Sequence, residues 1–280
     1  MKKAKGKITT ILLVLVLLVG LSLLLYPTFA DWWNSQVQSR AIASYTEKVQ
    51  NLDTDKYKEL WESARNYNKS LLGRSNEYLL SEEQQSLYHQ QLNVGGDGVM
   101  GIIEIPSINC TLPIYHGTSE DVLHTAIGHL EWTSLPTGGE STHAVVSGHR
   151  GLPSATLFTN LDQLIVGDLF VLHVLDEQLT YEVDQILIVE PDDTEALLIQ
   201  EGKDLVTLVT CTPYGVNSHR MLVRGHRVAN VEAAVAVRIT ADAVQIEPML
   251  VAVLLAVPIL LTMLIVVLVK DGRKKRNKAH

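Results

Sequence analysis

The stretch 207–227, TLVTCTPYGVNSHRMLVRGHR, ends an apolar run on a cysteine and opens the next run on an arginine nine residues later. The chain has two cysteines, Cys110 and Cys211. Cys211 is open to three readings: half of a disulfide with Cys110, an inert packed thiol, or a nucleophile. Strand alternation in DLVTLVTC puts Leu205, Thr207, Val209 and Cys211 on one face. Cys211 then stands at the strand end, where a rigid scaffold displays reactive groups. If the two runs pair as an antiparallel hairpin, Arg220 lies beside the thiol. Its cation favours the thiolate, which is the reactive form. Its guanidinium also offers several donors to a developing oxyanion. A disulfide cysteine needs no such neighbour, so the local pattern favours the nucleophile.

A thiol nucleophile works with an acid/base, normally histidine. The chain has ten histidines, so context must choose. In SGHRGLP, His149 closes the apolar run HAVVSGH between two glycines, which permit a sharp turn and a close approach. His219 reads as a loop residue. His226 lies six residues past Arg220, so a strand carries it ~20 Å away. His116, His124, His129 and His143 read as packing or surface residues. Arg224 shares the face of Arg220 and reads as a structural or surface arginine. Cys110, in INCTLPIY, shares a face with Ile108 and reads as a packed thiol.

Other chemistries find no support. There is no H-E-x-x-H, no C-x-x-C and no ligand-spaced His/Cys/acid cluster. G-x-S-x-G is absent. GGDG at 95–98 precedes a strand rather than a helix, which argues against a phosphate loop. No cofactor is expected.

These residues need a scaffold. From Val99 onward, VMGIIEIPSI, TLPIYHG, HAVVSGH, DLFVLHVL, LTYEVDQILIV, LVTLVT and RMLVRGHRV read as strands between Gly, Pro and Asn. LFTNLDQL reads as one short helix. Seven or eight strands without βα alternation predict a mainly β domain, a closed or nearly closed barrel over 95–228. Residues 31–94 read as a helical extension of two or three amphipathic helices. Val37, Ile42, Tyr45, Val49 and Leu52 recur at helical spacing, and Leu60, Trp61, Ala64 and Tyr67 share a second face. Ser81-Glu82-Glu83-Gln84 offers a cap for a third helix. No pattern organises 229–248, which reads as a linker.

The ends are apolar. Residues 8–25 form a nearly unbroken apolar run after four lysines in 1–7. Eighteen residues make a helix of ~27 Å, close to the ~30 Å bilayer core. Residues 249–269 form a second, uncharged run, followed by the basic tail 270–280. Basic flanks stay in the cytoplasm. The expectation is a two-pass cell-membrane protein with both termini cytoplasmic and the domain between on the extracellular face. A cleaved signal peptide ending at Thr28-Phe29-Ala30 is the alternative for the first run. Without the basic ends and Asp271, 13 basic residues face 30 acidic ones, a net charge of about −17. That balance excludes nucleic acid as a partner.

SGHRGLP, TLVTCTPYGVNSHR and the run GVMGIIEIPSINCTLPIYHGTSEDVLHTAIGHLEWTSLPTGGESTHAVVSGHR resemble the sortases, over about residues 95–228. More narrowly they resemble the pilin-polymerising class C of Gram-positive bacteria. The resemblance implies a sortase-like closed β-barrel with an N-terminal helical extension, flanked by two transmembrane helices. It implies Cys211 as nucleophile, His149 as acid/base and Arg220 as the residue that steadies substrate and oxyanion. It further implies a pilin precursor with an LPxTG-like sorting signal, cleaved between Thr and Gly and joined to an acceptor lysine by an isopeptide bond.

Two features need separate reading. Many class C sortases carry an Asp-Pro-aromatic lid before the barrel. Here LLGRSNEYLLSEEQQSLYHQQL contains no proline, so no lid of that kind is expected. Leu135-Pro136-Thr137-Gly138 mimics a sorting signal but is one residue short and internal, and reads as a turn. Two rival readings stay open. One is a sortase that anchors surface proteins to peptidoglycan. The other is a surface binding protein with a Cys110–Cys211 bridge.

Overall fold

The computed structural model describes residues 2–73 and 79–230, with Pro258 and Thr262. The chain divides into two compact units, and residues 31–237 make up the larger. Helix α1 runs Lys2–Gln50, α2 Thr54–Leu71 and α3 Glu82–Gln90. The starts of α2 and α3 are chemically marked. Asp53 caps α2 by accepting from the Lys56 backbone N–H. Ser81 and Gln84 form a reciprocal capping box at α3, as SEEQ predicts.

The strands are β1 (Val99–Ile105), β2 (Cys110–His116), β3 (Ile127–His129), β4 (Thr142–Ser147), β5 (Leu169–Val174), β6 (Glu177–Val189), β7 (Asp204–Thr212) and β8 (His219–Arg227). A four-residue helix, α4 (Glu120–Leu123), precedes β3. The strands close in the order β1-β2-β3-β4-β7-β8-β6-β5. β2–β3 and β4–β7 are parallel and the other pairs antiparallel. Closure leaves no open sheet edge.

Alternation sorts the strand side chains. Ile103, Ile105, Ile114, Phe170, Val206, Leu208 and Val223 fill the interior with Tyr88 and Leu92 from the helical extension. Val209, Leu222 and Val145 point the other way, into a small outer cluster with Leu197. Outside β1, Tyr45 of α1 packs with Val99 and Ile102.

The sequence reading meets three local differences. β3 has only three residues, too few to show a period of two. HAVVSGH leaves the sheet after Ser147, so His149 lies past β4 rather than on it. LFTNLDQL forms a single 3-10 turn, Leu161–Gln163. Leu135, Pro136 and Thr137 of the LPTG segment are buried and pinned from α2. The Asn68 amide donates to Leu135 O at 3.0 Å and accepts from Leu135 N at 2.7 Å, and it reaches Thr137 Oγ1 at 2.9 Å.

The two-pass expectation, with both termini cytoplasmic and the domain extracellular, is corrected. Among the described residues one helix is long and apolar enough to cross a membrane, Ile11–Gln50 near the N-terminus. The second expected span, 249–269, and most of the 229–248 linker lie outside the described residues. Among the described residues, one membrane-length helix thus precedes the β-barrel.

Candidate active site

The β7–β8 hairpin places the first two residues. Its register runs from Leu205↔His226 through Cys211↔Arg220 to Thr212↔His219. The connecting turn is closed by Val216 N and Asn217 N donating to Pro213 O at 3.1 and 2.9 Å. Gly215 and Asn217 have φ of 75° and 60°. Glycine and asparagine tolerate that left-handed backbone best, so GVN in the sequence sets the turn and the turn sets the register. Val206 and Leu208 face the barrel interior while Val209 faces out. By alternation Cys211 also faces out, and directly opposed residues share a face, so Arg220 joins it.

β4 lies on the other side of β7. The parallel register ends with Ser147 level with Val209, two residues short of His149 and of Cys211. Gly148 N donates to Val209 O at 3.0 Å. The ladder then ends, because the Thr210 hydroxyl takes Gly148 O at 2.8 Å. Adjacent strands lie ~4.8 Å apart. Imidazole, thiol and guanidinium thus come from three neighbouring lines of chain at one end of the barrel.

The glycines beside His149 admit protein rather than substrate. A Cβ on Gly148 would lie 2.7 Å from both Ile127 and Phe158 side chains. A Cβ on Gly151, whose φ is +75°, would lie 2.9 Å from the Tyr214 ring. Tyr214 belongs to the β7–β8 turn, and the Arg150 guanidinium sits 5.8 Å from its ring centroid. The loop after β4 and the β7–β8 turn therefore touch. Arg150 also pairs with Asp162, and His149 O accepts from Phe158 N at 3.1 Å.

The charges around the site are distinct. Burial lowers the His149 pKa, the nearby His124 lowers it further and Glu120 opposes them. The ring centroids of His124 and His149 are 6.1 Å apart. Arg220 Nη1 donates to Asn217 O at 3.2 Å and His219 O at 3.1 Å. Arg224 shares the face of Arg220 but is held by Asp184, with Nε and Nη2 each 2.9 Å from a carboxylate oxygen. That pairing follows from a bulge in β6 between Val183 and Gln185, which leaves Asp184 outside the ladder. His219 is 3.2 Å from Glu190. His226 pairs with Leu205 at the far end of the hairpin.

Both cysteines are free thiols, so the bridged reading fails. Cys110 starts β2, packs against the interior and has its pKa pushed up to about 12 by burial. His129 and His143 are buried and satisfied as neutral rings. His129 Nε2 lies 2.7 Å from Ser134 O while Nδ1 faces the Tyr88 hydroxyl at 3.0 Å. His143 Nδ1 lies 2.9 Å from Leu198 O while Nε2 faces the Thr207 hydroxyl at 2.7 Å. His124 is exposed and beside His149, a proximity that nothing in the sequence signals.

A sortase domain model matches residues 103–228. Sortase D of Bacillus subtilis (strain 168) is 37% identical over 131 residues, covering 46% of this chain and 63% of that protein. The crystal structure of sortase C1 from Streptococcus agalactiae has 53% sequence identity and a TM-score of 0.67, over 69% of this chain and all (100%) of that one. Sortase C of Streptococcus pneumoniae, whose crystal structure is described as giving insight into catalysis and pilin substrate specificity, has 44% identity and a TM-score of 0.60, over 68% of this chain and 97% of that one. With the barrel order and a cysteine and arginine paired across its last hairpin, these likenesses show that the chain belongs to the sortase family, within class C.

Proposed function

We propose that the protein is a cysteine transpeptidase that joins pilin subunits. The observation that carries this reading is the pairing of Cys211 with Arg220, with His149 two residues past the end of β4, the strand beside β7. The Cys211 thiolate attacks the Thr carbonyl of an LPxTG-like signal. Arg220 donates to the oxyanion that develops there. The Thr–Gly C–N bond breaks, His149 delivers a proton to the departing glycine amine, and a thioester remains on Cys211. The ε-amine of an acceptor lysine then attacks the thioester and loses its proton to His149. An isopeptide bond forms and the thiolate returns.

The thioester conserves the acyl energy of the cleaved peptide, so no nucleotide is consumed. Water competes with the lysine, and orienting the amine against the thioester lets it prevail. The absence of an Asp-Pro-aromatic motif supports a site without that lid. Residues 74–78 of the corresponding region lie outside the described residues.

The test is a trap. The protein is incubated with a synthetic peptide carrying Leu-Pro-Glu-Thr-Gly, and mass spectrometry looks for an acyl adduct on Cys211. The adduct is expected in the wild type and not in Cys211→Ala. Pilin joining is read separately. Gene deletion should remove high-mass pilin ladders, whereas loss of wall attachment alone would favour an anchoring sortase.

A further inference from the structure

The C-terminal half of α1 touches the loop that carries His149. Asp31, Asn34 and Gln38 fall on one stripe of the helix, at spacings of three and four. Asp31 Oδ1 accepts from the Thr156 backbone N–H at 2.8 Å and from the Thr156 hydroxyl at 3.0 Å. Asn34 Nδ2 donates to Ser154 O at 2.8 Å. Gln38 Nε2 donates to Thr125 O at 2.7 Å. Ser154 and Thr156 follow His149 in the connection after β4. Thr125 follows His124, whose ring lies 6.1 Å from that of His149. One helix stripe thus clips together the two loops that meet at His149.

The same stripe continues into Ile42, Tyr45 and Val49, which pack on β1, with the Tyr45 hydroxyl donating to Met100 O at 3.2 Å. It becomes wholly polar where the helix passes from sheet to loop. An irregular loop exposes backbone groups that only polar partners satisfy. The loop's own bonds, Phe158 N to His149 O and Gly151 N to Thr159 Oγ1, keep its shape, and Ala155, Leu157 and Phe158 anchor its inner side in the core. Gly148 fixes its start on β7, and α1 supplies the far side.

We propose that Asp31, Asn34 and Gln38 are positioning residues for His149. The proposal rests on the reading of His149 as the acid/base. The Asp31–Thr156 bonds are exposed, and such bonds contribute little to global stability. A small displacement of an acid/base nevertheless slows chemistry steeply.

The full chain is assayed in detergent with a Leu-Pro-Glu-Thr-Gly peptide and a lysine-containing acceptor peptide. The double variant Asp31→Ala/Asn34→Ala should lose tenfold or more in kcat, on the order expected for a misplaced catalytic group, with KM and Tm unchanged. Asp31→Asn keeps an acceptor for both Thr156 donors and should restore most of the rate relative to Asp31→Ala. An unchanged kcat in the double variant overturns the proposal, as does an Asp31→Asn rate as low as that of Asp31→Ala. If the double variant lacks a cooperative thermal transition, Gln38→Ala is held to the same kcat criterion. His149→Ala separates the two levels. Full turnover in that variant removes the acid/base reading itself, whereas a dead His149→Ala beside an unimpaired clip variant removes only this inference.

Discussion

Cys211 and Arg220 are directly opposed across β7 and β8, one rung from the turn of the hairpin. Arg224, two alternations along the same face, is bound to Asp184 at 2.9 Å. Arg220 makes no ion pair among the described residues and is held only by loop carbonyls. Replacing Arg220 with Lys keeps the charge and loses the planar fork. Its kcat should fall by roughly 10²-fold or more, the scale seen for loss of an oxyanion donor, without a change in Tm. Arg224→Lys should instead lower Tm, because it breaks a half-buried bidentate pair, and should leave more of the rate.

The two thiols should separate cleanly. Cys211→Ala should abolish turnover and adduct formation, and Cys110→Ala should leave turnover largely intact. Cys110 is packed against the core with its thiol pushed up to about 12, so it should resist alkylation at neutral pH. Cys211 is half-buried and should react with a small thiol reagent near the rate of an exposed cysteine. Modification far slower than that would count against a site without a lid.

Asn68 is a buried polar residue with three hydrogen bonds to the Leu135–Thr137 segment. Asn68→Ala orphans the buried Leu135 N–H, while Leu135 O keeps its bond from Thr137 N at 2.7 Å. The cost should be about 1–3 kcal/mol, the range for one buried group left unsatisfied. Urea unfolding of the catalytic domain within the full chain measures it. A shift below ~0.5 kcal/mol, the range of ordinary surface substitutions, would show that the segment is not held from α2.

Acid should destabilise the fold through His129 and His143. Burial holds both pKa values near 4, below the ordinary 6.5. Between those values the unfolded chain binds protons that the folded protein refuses. Stability from these rings is therefore complete above about pH 6.5, and it falls as pH drops towards 4. Each can cost on the order of 3 kcal/mol once the difference is fully developed. Tm measured from pH 7 to pH 4.5 should decline, and His143→Gln should make the decline shallower.

Much of the barrel was legible because its signals are local. Alternating runs at 99–105, 169–174 and 204–212 fall on strands, and Ser81 with Gln84 marks a helix start. β3 was not legible, since three residues carry no period. The extent of β4 was overread, because Gly148 and His149 continue its pattern while their hydrogen bonds leave the ladder. His124 was unmarked, as its closeness to His149 comes from the packing of two loops. Hydropathy along the chain suggested two membrane spans, but among the described residues one helix meets the requirement.

The sequence by itself determined the Cys211–Arg220 pair. A strand end, a turn with Gly215 and Asn217 in left-handed backbone and a return strand lie within one short stretch, so local geometry decides their register. Tertiary structure alone decided that the segment of His149 runs to the same end of the barrel. It follows a different strand, and only the parallel pairing of β4 with β7, which ends with Ser147 level with Val209, brings it there. The same holds for the hold of Asn68 on Leu135 and of Asp31 on Thr156. Such contacts join residues far apart in the chain, and no periodicity in the sequence records them.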